Sequence, residues 1–209
     1  MAAMTDALST LGASFITFFS IANPLGSALI FDRAVVELSR CARRRLARQV
    51  ALLSGVIVIV AAVAGSDILH ALGIRLDALR VAGGLIVGAQ AWRLIGQNAG
   101  DRGDGRASAR GALIPLTVPL TVGPGTIAAA ISLGAAGGSG PHAVLHLAAV
   151  LLAVMLLAVV IAISYGNARR IIELLGKNGS CAAVQLSGFV LLCIATEMVL
   201  QGLRNTLAI

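Results

Sequence analysis

Apolar residues fall in six long runs, at about residues 8–32, 48–66, 77–97, 112–134, 143–165 and 180–204. Each approaches the roughly 20 residues that a helix needs to cross the ~30 Å hydrocarbon core of a bilayer. Runs two and five, "VALLSGVIVIVAAVAG" and "AVLHLAAVLLAVMLLAVVIAIS", are the cleanest, with almost no polar interruption. The others carry Gly, Pro, Gln or Glu, which should face protein or a cavity rather than lipid. The pattern predicts an all-α polytopic membrane protein, a single membrane domain over 1–209 with six transmembrane helices.

Two of the runs break their own pattern. "IANPLGSALIF", Ile21 to Phe31, places Asn23, Pro24 and Gly26 inside the first run, and "VGPGTIAAAI" places Gly123, Pro124 and Gly125 inside the fourth. Proline has no N–H and clashes with the preceding turn, so in a helix interior it costs about 3 kcal/mol or more. At the first position of a new helix it is well tolerated. Asn23 then reads as an N-cap followed by Pro24 at N1, and Gly123 before Pro124 plays the same part. Each run becomes two half-helices, the second starting near the bilayer midplane with unpaired N–H groups and a positive dipole end. Such ends bind carboxylates and other anions. Pro115 and Pro119 disturb the fourth run further, so four of the five prolines lie in these two spans.

The breaks stand at matching places. Pro24 and Pro124 are 100 residues apart, with Thr17 and Thr117, and Ala28 and Ala128, in step. "ALRVAGGLIVGAQA" and "AVQLSGFVLLCIAT" align at Gly84 and Gly188, with Ala91 against Ala195. Repeat one, 8–97, and repeat two, 112–204, each hold three spans, joined by the polar, glycine-rich linker 98–111. Three is odd, so repeat two must enter the membrane from the opposite side. That gives an inverted repeat, a frequent plan in secondary transporters, with the first helix of each repeat broken at Pro/Gly.

Charge orients the chain. The sequence has 12% charged residues, against about 25% in soluble domains. Thirteen of its sixteen Lys and Arg fall between spans one and two, at and after the end of span three, and between spans five and six. By the positive-inside rule these segments are cytoplasmic, so both termini face the periplasm. The net charge of +7 suggests nucleic acid, but the basic residues lie between apolar runs and only five Phe, one Tyr and one Trp are available to stack on bases. Nucleic acid is therefore excluded as a partner. The Arg-Gly-Asp inside the linker is read as coincidence. The first residues lack a basic segment, so no cleavable signal peptide is expected.

Other polar residues are weaker candidates. Cys41, Cys181 and Cys193 show no metal or disulfide spacing. Glu197 in span six is either functional or interfacial. Gln90 and Gln185 are expected to bond between helices and His146 to sit at the interface. Gly84 and Gly88 form a GxxxG favouring close helix approach within the chain. Asp32 and Arg33 are expected as a solvated pair. No catalytic constellation or phosphate loop is visible, so the chain is read as not an enzyme and as holding no cofactor and no metal.

"FFSIANPLG", "GIRLDALRVAGG" and "PLTVPLTVGPGTIAAAI" resemble the MarC family of bacterial inner-membrane proteins, in order over nearly the whole chain. The family is related to LysE-type exporters. The resemblance implies an inner-membrane transporter of small neutral amino acids. It carries the Asn-Pro-x-Gly motif onto Asn23, Pro24 and Gly26, and the Gly-Pro-Gly motif onto Gly123, Pro124 and Gly125. Many members have a second Pro where this chain has Leu29, so substrate can differ. A small zwitterion fits the breaks: its carboxylate would meet half-helix N–H groups, including that of Thr126, and its ammonium freed carbonyls or the hydroxyls of Ser20, Thr117 or Thr121. The expected partners are thus a small-molecule substrate and the lipid bilayer, with proton or Na⁺ coupling and a homo-oligomer left open. A membrane scaffold or assembly protein without a transported substrate is the alternative.

The topology is directly testable. In a background without native cysteines, Ser139→Cys should react with an impermeant reagent from outside and Gly103→Cys should not. The opposite result overturns the orientation.

Overall fold

The structure is a computed structural model that describes residues 2–36, 38–96, 122–138 and 141–207. The linker 98–111, the first part of span four with Pro115 and Pro119, and the candidates Thr117 and Thr121 lie outside the described residues. The described chain is helical: α1 (Ala2–Ala22), α2 (Pro24–Ala34), α3 (Arg40–Ala71), α4 (Leu76–Gly96), α5 (Pro124–Ala135), α6 (Pro141–Gly166) and α7 (Ala168–Leu207). Ser39 starts α3 by accepting the Ala42 N–H at 3.3 Å, a side-chain cap. Gly73, at φ +68°, follows the end of α3, where glycine tolerates the left-handed backbone of the turn into α4. Gly176 (φ 66°, ψ 178°) interrupts α7 with non-helical backbone, dividing it into a short first part and a longer second one.

Among the described residues, four segments are long and apolar enough to cross a membrane: Thr5–Ala28, which runs through the first break, Arg40–Ala71, His142–Gly166 and Ala182–Thr206. Pro124–Ala135 is a shorter apolar helix. α4 has 21 residues, but it carries Asp77, Arg80 and Arg93 and falls outside that set. Its packing explains how it tolerates them. Asp77, Arg80, Ser132 and Asn205 meet where the ends of α4, α5 and α7 come together. Asp77 accepts from Asn205 at 3.0 Å and faces Arg80 at 3.5 Å and Arg75 at 3.3 Å. Arg80 Nε donates to Ser132 Oγ at 2.7 Å.

Small residues bring the helices together. α4 runs antiparallel to α7 along its length, from Asn205 beside Asp77 to Gly188 beside Leu94 and Ile95. A Cβ on Gly84 would lie 2.9 Å from the Ala195 carbonyl oxygen, and one on Gly188 3.2 Å from the Ala91 carbonyl oxygen. Gly88 also faces Ala195, so both glycines of the GxxxG serve a contact inside the chain, as the sequence suggests. On its other side α4 takes α5: Gly83 abuts Ala128, and Gly125 abuts Val87. Helix α5 crosses α3 where Gly65 meets Ile131 and Gly134 meets the Ala62 carbonyl. Helix α3 also crosses α6 at Gly55 and Ala158. Phe31 of α2 stacks on Tyr165 of α6 with ring centroids 4.7 Å apart. Large apolar side chains point outward in quantity, among them Leu52, Val56 and Val60 on α3 and Leu152, Met155 and Val159 on α6. Such a surface suits lipid, not water.

The side chain of Arg33, the expected partner of Asp32, lies outside those described; Asp32 meets Arg43 of α3 at 2.6 Å, and both are mostly buried. Arg43 also donates to the Val35 carbonyl at 3.0 Å, at the end of α2. Glu197 lies on an exposed face of α7 and accepts from Gln201 at 3.0 Å. His146 Nε2 sits 2.9 Å from the Leu133 carbonyl, in the last turn of α5. Cys41 and Cys193 are free and exposed.

The glycine contacts separate two kinds of substitution. Gly84→Ala should destabilise by about 1–3 kcal/mol, because a backbone carbonyl cannot yield as a side chain can. Gly12→Ala, where a Cβ meets nothing within 4 Å, should be neutral or stabilising by up to about 1 kcal/mol. Thermal unfolding of the two purified variants checks this, and equal effects would show that the α4–α7 crossing is not tight.

Candidate functional site

Asn23 performs three tasks at the first break. Its backbone adopts φ 43°, ψ 60°, a left-handed conformation that asparagine tolerates better than most residues. Its N–H still closes α1 by donating to Phe19 at 3.0 Å, and its carbonyl opens α2 by accepting from Ser27 at 2.9 Å. Its side-chain oxygen accepts the Gly26 N–H at 3.2 Å, satisfying one of the donors that a new helix leaves unpaired. Pro24 is the first helical residue and has no N–H to satisfy. Gly26 is required because the Asn23 amide folds across it: a Cβ there would lie 2.5 Å from Nδ2. The Ala22 carbonyl, bypassed by Gly26, accepts the Ser27 hydroxyl at 3.1 Å. The spacing Asn-Pro-x-Gly-Ser thus encodes a helix break at which the Gly26 N–H and the Ala22 carbonyl are satisfied by nearby side chains. Asn23 is 8% exposed and Ser27 6%, while Ser20, half-buried, lies in the last turn of α1. Pro24 has no N–H to return to the Ser20 carbonyl.

The second break is built differently. Gly123 is the N-cap of α5, in extended conformation (φ −80°, ψ 172°), and offers no side-chain cap. Its carbonyl accepts the Ile127 N–H at 3.2 Å. The next two residues with an N–H, Gly125 and Thr126, are buried. The side chain nearest Gly123 comes from another helix: a Cβ on Gly123 would lie 3.1 Å from Nε2 of Gln90, on α4. Gln90 therefore lies beside Gly123 at the start of α5, but without the cap hydrogen bond that Asn23 makes at the start of α2. The arrangement presents a helix N-terminus and a carboxamide that can both donate and accept, which suits a carboxylate next to a donor group.

Both breaks lie well inside the helical layer. Along α4, Gly123, Gly125, Ala128 and Ser132 face Gln90, Val87, Gly83 and Arg80 in turn. The start of α5 is therefore about 9 Å, or six residues, from the Gly96 end of α4. Asp32 lies nine residues after Asn23 along α2, so Asn23 stands about 14 Å above the Asp32–Arg43 pair. That is near half of the ~30 Å core. Helices α1 and α5 are in contact, and Phe18, Ile21 and Ala22 share one buried apolar cluster with Val122, Ala129 and Ala130.

The sequence-derived candidates thus divide in two groups. Ser20, Asn23, Pro24 and Gly26 surround the first break, and Gly123, Pro124, Gly125 and Thr126 the second. Gly125 turns towards α4 and packs on Val87, so its small size serves helix packing. Sequence reading assigned Gln90 to bonding between helices and not to the break, because its tie to Gly123 is across 33 positions and no local spacing signals it. A cleft of about 310 Å³ lies elsewhere, between α1 and α6, walled by Leu8, Leu11, Leu145 and Leu152. Its apolar walls offer nothing to orient a zwitterion, and Leu11 is about 18 Å along the helix from Asn23.

The family described as "MarC family integral membrane protein" matches residues 8–207. The chain is 29% identical to the "UPF0056 inner membrane protein MarC" of Salmonella typhimurium over 95% of its own length and 96% of that protein's. It is 30% identical to the "UPF0056 membrane protein YvbG" of Bacillus subtilis, over 91% and 92% of the two chains. No solved structure matches it.

Asn23 can be dissected by substitution. Asn23→Gly keeps the left-handed backbone and loses only the cap, at a few tenths of a kcal/mol. Asn23→Ala loses both and should cost about 2 kcal/mol. Unfolding of the two variants should show this order; an alanine variant as stable as the glycine variant would mean that the left-handed backbone is not what selects asparagine.

Proposed function

We propose that this chain, which belongs to the MarC family of integral membrane proteins, is a secondary transporter that moves a small neutral amino acid or similar small zwitterion by alternating access. The substrate carboxylate docks at the start of α5, on the N–H groups of Gly125 and Thr126 beside the Gln90 carboxamide. Asn23, Pro24, Gly26 and Ser20 at the start of α2 form the opposing wall, with Thr117 and Thr121 completing the site. The observation that carries this reading is the pair of buried half-helix starts, one with a side-chain cap from its own Asn23 to the Gly26 N–H and the other with no side-chain cap from its N-cap residue, Gly123. A ligand has reason to bind the second.

The reading includes six spans in two inverted repeats, with α1–α4 as one and α5–α7 with the preceding residues as the other. Reciprocal contacts support it. Gly84 meets the Ala195 carbonyl and Gly188 meets the Ala91 carbonyl, which is the exchange expected of residues 84 and 188, and 91 and 195, related by a two-fold axis. Helix α5 packs on α3 and α4, and α2 packs correspondingly on α6 and α7. The relatives named inner membrane proteins support placement in the bacterial inner membrane, and the arginine distribution supports periplasmic termini. The chain is read as a carrier and not an enzyme, with no cofactor beyond a coupling proton or Na⁺.

Proteoliposomes test it. Labelled glycine or alanine should cross in a saturable manner, and Gln90→Leu, which keeps helix propensity, should reduce flux at least about tenfold, as loss of a buried polar ligand contact does. Folded protein that moves neither amino acid and gains no thermal stability from them would favour the scaffold reading.

A further inference from the structure

The first turns of α3 hold more positive charge than the described residues neutralise. Arg40, Arg43, Arg44, Arg45 and Arg48 lie within nine residues at the N-terminus of a helix, where the helix dipole already disfavours cations. Arg40 and Arg44, and Arg44 and Arg48, are like-charged i,i+4 neighbours. Asp32 compensates Arg43. Among the described residues Arg44, Arg45 and Arg48 form no ion pair, and all three are exposed.

Their direction is set by the helix. Helix α3 is 32 residues long, about 48 Å, which exceeds the ~30 Å core by several turns. Its outward stripe steps from Arg45 to Arg48, Leu52, Val56, Val60 and Val63 at spacings of three and four. The four apolar members are 49–69% exposed, and the stripe's opposite face, including Ala47, Val50, Ala51, Ser54 and Val58, is buried. The arginines therefore continue the lipid-facing stripe into the headgroup layer. They do not face the protein interior.

We propose that Arg44, Arg45 and Arg48 form a docking surface for anionic phospholipids, with guanidinium groups on the headgroup phosphates and the acyl chains along Leu52 and Val56. Planar guanidinium groups suit phosphate oxygens as paired donors, and each basic side chain at a membrane surface attracts anionic lipid. The lipid supplies the countercharge that the helix N-terminus lacks. This surface is independent of any transported substrate and of which leaflet holds it.

The sequence has one tryptophan, Trp92, so Trp92→Phe gives a dark background for reporters at Leu52→Trp and, farther along the stripe, Val63→Trp. Each is reconstituted in bilayers where brominated phosphatidylglycerol or brominated phosphatidylcholine quenches fluorescence. The preference for phosphatidylglycerol should be about threefold or more at position 52 and near one at position 63. In Arg44→Gln/Arg45→Gln/Arg48→Gln it should fall to near one at position 52. Inorganic phosphate at millimolar concentration should leave the parent's ratio unchanged. Equal quenching by both lipids at position 52 in the parent, a ratio unmoved by the triple substitution, or displacement by inorganic phosphate would each overturn the proposal. The comparison of positions 52 and 63 stands even if the triple variant inserts poorly.

Discussion

A helix broken inside a bilayer must satisfy its own freed backbone groups, because hydrocarbon offers no water to do so. That constraint governs both halves of this protein. At the first break one residue meets it: Asn23 closes α1, opens α2 and caps Gly26 with its side chain. Ser27 takes the Ala22 carbonyl that the Gly26 N–H bypasses. At the second break Gly123 has no side chain to offer, and Gln90 approaches from α4 instead. The asymmetry is chemically informative. One break is capped by a side chain of its own sequence, while at the other, among the described residues, the N-cap residue gives none and a carboxamide stands beside it.

The half-helices are held at their far ends. Arg43 grips Asp32 and the Val35 carbonyl at the end of α2, and Arg80 grips Ser132 near the end of α5. Asp32 and Ser132 differ by the same 100 positions as the two prolines. In each case a cation stands at a helix C-terminus, where the dipole favours it. Between these anchors α4 is the shared surface, lined by Gly83, Gly84 and Gly88 towards α5 and α7. At the α4–α5 contact, Gly83 receives Ala128 and Gly125 receives Val87, so the two helices approach through small residues. The proposed alternating access would move α5 against α4 at this contact.

Much of this was legible in the sequence. Pro24 and Pro124 mark the helix starts because proline admits one location in a helix, and the GxxxG at Gly84 announces a close crossing. The left-handed backbone of Asn23 was not legible, since N-caps are usually extended. Nor was the role of Gly125, whose size answers to Val87 on another helix. Pairings across many positions, such as Gln90 with Gly123 and Arg80 with Ser132, depend on how helices pack, and local pattern does not encode them. Asp32 illustrates the same limit: the partner the structure gives it, Arg43, is 11 positions on.

The central claim is that the uncapped start of α5 receives a carboxylate. Equilibrium binding of alanine and of alanine amide to the purified protein, by isothermal titration in detergent, tests it most directly. The two ligands share size and ammonium group and differ in the anion. Alanine should bind at least about tenfold more tightly, the loss expected when a charged acceptor on backbone N–H groups is replaced by a neutral one. Alanine amide binding as tightly as alanine would contradict the account.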